Sequence, residues 1–187
     1  MSLLAGLLFV APAHPQADRE VAGFRLPVTL RLDPEGVTLR LNGAHVRHSL
    51  LREVTLFAIY AAEPARSFDA LLAVRAPIRV AVTILREEFT AERFRKGWRE
   101  QFEQVLTQEQ RQPLAPQIEQ FLANFVTLRR GDQILFDFVP GAGVRMRVRG
   151  EPKTTIAGDA FSEALLGVWL GPRSVDPGLR QALLAGG

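Results

Sequence analysis

Alternation with period two dominates two stretches of this chain, about 24–84 and 134–156, and helical spacing dominates the segments between and after them. From Phe24 to Leu32 and from Val37 to Leu41, apolar and polar residues alternate around Asp33-Pro34-Glu35-Gly36. That turn-forming string predicts a β-hairpin. Val54 to Ala61 is apolar on both parities, as a central strand covered on both faces should be. Ser67 can cap a short helix reaching Val74, and Ile78, Val80, Val82 and Ile84 keep strict period two as a further strand. Thr90 caps a long helix in which Phe94, Trp98, Phe102 and Val105 recur at three- and four-residue intervals. A second helix is expected from Leu114 to Leu128, with Ile118, Phe121, Leu122 and Phe125 inward and Gly131 as its stop.

Strands then return. Ile134, Phe136 and Phe138 alternate up to the turn Pro140-Gly141-Ala142-Gly143. Val144, Met146 and Val148 follow, alternating with Arg145, Arg147 and Arg149, which would form a basic stripe on one side of a strand. A short strand over Thr154–Ile156 precedes a helix capped by Asp159 and ending near Gly171, and Asp176-Pro177 opens a last short helix. Strands at both ends with helices grouped between and after them indicate an α+β fold with a largely antiparallel sheet.

At 187 residues with 47% hydrophobic positions, the chain can build one well-buried core. Its formal net charge is only +3, and acidic residues almost match basic ones without any block of like charge. Nucleic-acid binding therefore has no support in composition. The absence of cysteine excludes disulfides, thiolate metal sites and cysteine nucleophiles. Leu3 to Val10 is a short apolar run followed by small residues and prolines, which resembles a secretory signal cleaved after Ala13 or Ala17. It lacks a positive n-region and is too short to span a bilayer. The expected organisation is a leader over 1–17 and one domain over 18–187, placed in the periplasm or secreted. The alternative for the run is a docked or disordered N-terminal arm, and the alternative location is the cytoplasm.

Several strings resemble the chalcone isomerase-like family over roughly Gly23 to Leu184. They are Leu41-Asn42-Gly43-Ala44-His45-Val46-Arg47, the strand ending Leu56-Phe57-Ala58-Ile59-Tyr60, Gly131-Asp132, Pro140 to Gly143, and Ala164 to Gly171 followed by Val175-Asp176-Pro177. The resemblance implies an open-faced β-sandwich whose antiparallel sheet is covered by helices, with a ligand cleft between them. It also implies that Arg47, on a loop after the second strand, meets the ligand's oxygen and that Thr55 on the next strand assists. In plant isomerases of the family a helical tyrosine and asparagine hold the ligand, and a late threonine lies nearby. Here those positions fall on Phe94 or Arg93, on Gln101 or Glu100, and on Val168. Relatives that are not isomerases bind fatty acids with the same arginine.

The expected function is accordingly binding of a small amphipathic carboxylate or phenolic acid, with Arg47, Thr55, Tyr60, Phe94, Trp98, Gln101 and Val168 as candidate ligand contacts. A guanidinium presents a fixed fork to such an acid and stays charged. Two alternatives stand beside it. One is closure of a chalcone to a flavanone, with Arg47 and Thr55 as catalytic residues; the other is an envelope interaction protein that uses its arginine face. His45 and His48 flank Arg47 and are able to exchange protons near neutrality. A metal is not expected, because no carboxylate cluster stands at metal-ligand spacing nearby, and no other cofactor is expected.

Overall fold

The computed structural model describes residues 18–49 and 52–187, so the leader expected over 1–17 lies outside the described residues. In chain order the elements are β1 (Arg19–Val21), β2 (Phe24–Leu26), β3 (Thr29–Leu32), β4 (Val37–Ser49), β5 (Arg52–Ala61), α1 (Phe68–Ala73), β6 (Ile78–Ile84) and β7 (Glu88–Phe89). They continue with α2 (Ala91–Val105), α3 (Gln108–Arg111), a 3-10 turn at Gln112–Leu114, α4 (Ala115–Ala123) and β8 (Leu128–Arg129). The last five are β9 (Gln133–Val139), β10 (Gly143–Val148), β11 (Glu151–Ile156), α5 (Asp159–Leu170) and α6 (Pro177–Leu183).

Seven strands form one sheet in the order β11-β10-β9-β6-β5-β4-β3, and every neighbouring pair is antiparallel. Strand β5 lies inside it, which explains why its residues are apolar on both parities. Phe57, Ile59 and Ala61 join the helix-side core, while Leu56, Ala58 and Tyr60 join a second cluster on the opposite face. The second face is covered in part by the β1–β2 hairpin through Leu26, Val21 and Phe24. On the helix face, Phe94, Trp98, Phe102 and Val105 of α2 meet Phe121 of α4 and Phe161, Leu165 and Trp169 of α5. Trp98 stands at the centre of an aromatic network, edge-on to Phe121 at 4.9 Å and to Trp169 at 5.3 Å. Such edge-to-face contacts add to the area these rings bury.

The local signals that start helices act as expected at Ser67 and Thr90, whose hydroxyls accept from the N–H groups of Ala70 and Arg93. Several boundaries differ. Pro27 has no N–H to donate, so Phe24–Leu32 divides into β2, paired with β1, and β3, paired with β4. The expected loop from Leu41 to Arg47 is strand, part of the 13-residue β4. The second helix stops at Ala123, because Asn124 donates its side-chain amide to Gln120 O at 2.6 Å and folds back on the last turn. Leu128 belongs to β8, and Gly131, with φ +89°, serves the turn into β9. Asp159 is the first residue of α5 after Gly158, and its carboxylate accepts from Gly141 N–H at 2.9 Å, which ties the β9–β10 turn to the helix. The arginine stripe is largely engaged: Arg145 pairs with Glu35 at 2.6 Å, Arg147 donates to Gly150 O, and Arg149, beyond the strand, pairs with Asp132 at 3.0 Å.

Candidate functional site

The site begins with a slip in register. Along β4, Leu39 and Leu41 face the second cluster, and strict alternation would place Arg47 on that face too. Pairing with β5 shifts by one residue between Leu41 and Gly43, so Asn42 is the extra residue of a bulge. From there the parity reverses, and Gly43, His45 and Arg47 stand opposite Ile59, Phe57 and Thr55 on the helix side. Asn42 is buried and fixed by three bonds: Nδ2 donates to Ala65 O at 2.9 Å and Leu183 O at 2.8 Å, and Oδ1 accepts from Ala65 N–H at 2.7 Å. Next to it, Gly43 lets α6 approach closely, since a Cβ there would lie 2.7 Å from Leu183 Cα.

Beyond the bulge lies a cleft of about 290 Å³ between the sheet and α2. Its walls are apolar and buried: Phe57, Val82 and Phe136 from the sheet, Phe94 and Trp98 from α2, and Trp169 from α5. Its rim is polar and more exposed, with Arg47, His48, Ser49, Arg86 and Arg93. Among the described residues that line it, none is aspartate or glutamate. An apolar trough with a cationic rim suits a molecule that has a greasy body and an anionic end.

Two lining groups carry the polar chemistry. Thr55 is 6% exposed, and its Oγ1 is buried without a hydrogen-bond partner among the described residues. A buried hydroxyl left this way costs free energy unless a hydrogen-bond partner reaches it. Arg47 is its cross-strand partner, and its Nε lies 3.4 Å from Asp176 Oδ2, with the side chain 37% exposed. That separation is longer than a good N–H···O bond. A contrasting pair sits on the other face of the sheet, where Arg79 and Asp137 meet fork to fork at 2.6 and 2.9 Å with Asp137 only 3% exposed. The Arg79 pair is closed. Among the described residues, the Arg47 pair leaves guanidinium donors free for a second acid.

The structure thus brings Arg47, Thr55, Phe94, Trp98 and Gln101 to one cleft. Gln101 donates Nε2 to Gly97 O at 3.0 Å, which holds its amide against the helix. Tyr60 lies on the opposite face of the sheet, because its parity on β5 is that of Leu56 and Ala58. Burial there pushes its phenol up to about 12. Val168 is fully buried in the core, and its neighbour Trp169 lines the cleft instead. His48 lines the rim and His45 does not. Arg86 and Asp176 were not singled out by sequence as site residues. Arg86 follows the last alternating residue of β6, and only the pairing of Ile84 with Thr55 brings it to the cleft. Among the described residues no group of three or more His, Asp or Glu side chains is placed to hold a metal ion, and no helix is long and apolar enough to cross a membrane.

Residues 18–185 match the family model described as chalcone isomerase-like. No curated protein matches the sequence. Among solved structures, the crystal structure of a fatty-acid binding protein from Arabidopsis thaliana superposes with a TM-score of 0.65 at 16% identity, covering 84% of this chain and 96% of that one. At that identity the similarity establishes the fold, a curled antiparallel sheet with helices on one face.

Proposed function

The chain belongs to the chalcone isomerase-like family, and from that premise we propose that it binds a small amphipathic acid in the cleft, with Arg47 holding the anionic end. The observation that carries this reading is the rung joining Arg47 to Thr55, a cation across from a buried hydroxyl that has no partner among the described residues, at a cleft where no described lining residue is acidic. A carboxylate placed there would accept from both groups. The aromatic walls would supply most of the affinity by removing the ligand's apolar body from water. That a solved structure of the same fold is a fatty-acid binding protein supports an acyl ligand.

Volume narrows the class. At about 30 Å³ per water-sized group, 290 Å³ accommodates about ten non-hydrogen atoms, the size of octanoate or an aromatic acid of similar bulk. Solvent extraction of the purified protein followed by mass spectrometry tests the proposal. An acid of this size at near one per chain supports it; protein that is ligand-free and fails to take up octanoate overturns it.

The same rung would also stabilise the enolate that develops when a phenol adds to an α,β-unsaturated ketone, as in closure of a chalcone. Phe94 and Gln101 offer that reaction an apolar ring and an amide already tied to Gly97. A spectrophotometric chalcone assay separates the two readings, and catalysis is excluded if turnover does not exceed the solvent rate.

A further inference from the structure

We propose that Asp176 is the resident counter-ion of Arg47 and lowers the protein's affinity for anionic ligands, so that it sets how strongly acids are preferred over neutral molecules of the same shape. The inference rests on the binding function proposed above. It comes from three features of one side chain. Asp176 Oδ2 is 3.4 Å from Arg47 Nε, and among the described residues it is the only acid paired with that arginine. Its Oδ1 accepts from Leu179 N–H at 2.9 Å, which makes it the cap of α6 and fixes the carboxylate in place. It is not itself a lining residue, so a ligand does not displace it by contact.

The electrostatic consequence follows. A carboxylate gripping the free donors of Arg47 shares the guanidinium with a fixed negative charge behind it, and the two acids repel through a partly exposed medium. At separations of a few ångströms that repulsion is worth about three- to tenfold in affinity. It acts on charged ligands alone, because a neutral alcohol in the same trough feels no such field. The short connection from α5 holds this geometry: Ser174 Oγ donates to Trp169 O at 2.8 Å and accepts from Asp176 N–H at 3.4 Å. Trp169, which lines the cleft, and Asp176, which faces the arginine, therefore belong to one braced turn.

Asp176→Asn and Asp176→Ser both remove the charge and keep a good helix cap. Titration calorimetry with octanoate and with 1-octanol on the full chain, at low and at high salt, reads the effect. The expected result is octanoate affinity raised about three- to tenfold in both variants at low salt, less so at high salt, with 1-octanol unchanged. Unchanged or weakened octanoate binding in variants that retain wild-type melting temperature and 1-octanol affinity overturns the inference and leaves the binding function standing. Failure of octanoate to bind the wild type overturns both.

Discussion

Arg47 on β4 and Thr55 on β5 are cross-strand partners, and the threonine hydroxyl of that rung is buried without a hydrogen bond to any described residue. Protein interiors rarely leave a hydroxyl in this state. Its stability cost becomes intelligible if the hydroxyl is reserved for a guest.

Replacing Thr55 by valine separates the two roles. The variant loses a hydroxyl that makes no bond to any described residue, so its unfolding free energy should rise by about 1 kcal/mol. For a chain of this size, that is a melting temperature about 2–4 °C higher. Octanoate affinity should fall about tenfold, the size of one hydrogen bond to a charged group. Calorimetric melting and titration of the same preparation check both, and a variant that loses stability would show that the hydroxyl has a partner in the free protein.

Asn42 decides which face Arg47 occupies. Asn42→Ala removes three buried hydrogen bonds and leaves the Ala65 N–H and the carbonyls of Ala65 and Leu183 unpaired. A loss of about 2–4 kcal/mol is expected in denaturant unfolding, together with a loss of octanoate affinity out of proportion to any change at the cleft itself. Wild-type affinity in this variant would show that the bulge holds without its side chain.

How far the sequence carries is clearest at these positions. Period two marks β6 and β9, and the spacing of Phe94, Trp98, Phe102 and Val105 marks α2, because each turns its main apolar face to the helix-side core. The two-sided apolar run of β5 even reveals its interior place in the sheet. The bulge is not legible in this way. Leu39, Leu41, Gly43, His45 and Arg47 share one parity in sequence, and only the hydrogen bonds of Asn42 to segments 23 and 141 residues away reverse it. Tyr60 and Val168 fail as cleft contacts for a related reason. A one-residue change of parity on a strand, or a turn of about 100° on a helix, exchanges cleft for core. The resemblance located the neighbourhood of Val168, and the side chain that lines the cleft belongs to Trp169.

The Arg79–Asp137 pair should behave as structure alone. It lies on the face of the sheet away from the cleft, and Asp137→Ala would leave a guanidinium uncompensated in a mostly buried place. Denaturant unfolding should show a loss of about 3–5 kcal/mol. Octanoate affinity measured per folded molecule should not change; a selective loss of binding would link the two faces of the sheet.

Tyr60, the only tyrosine, offers a clean reading of the second face. Its phenol is raised to about 12, first by burial, with Arg79 opposing and Asp18 adding to the shift. In the unfolded chain it ionises near 10. The neutral form is therefore the one the fold favours, its contribution is complete below pH 10, and stability is lost as pH rises from about 10 through about 12. Tyrosinate absorbance should rise with a midpoint near the upper value, and titration near 10 in folded protein would show that the phenol is open to solvent.

The central claim is that a ligand acid is bound as an anion against Arg47. Carbon NMR of carboxyl-labelled octanoate, titrated with pH while bound, reads the charge of the ligand where it sits. A neighbouring guanidinium should lower the bound acid's pKa by about one to three units relative to free octanoate, and Arg47→Ala should abolish that shift. An acid that titrates at or above its free value in the wild-type cleft, or equally in wild type and Arg47→Ala, would contradict the account.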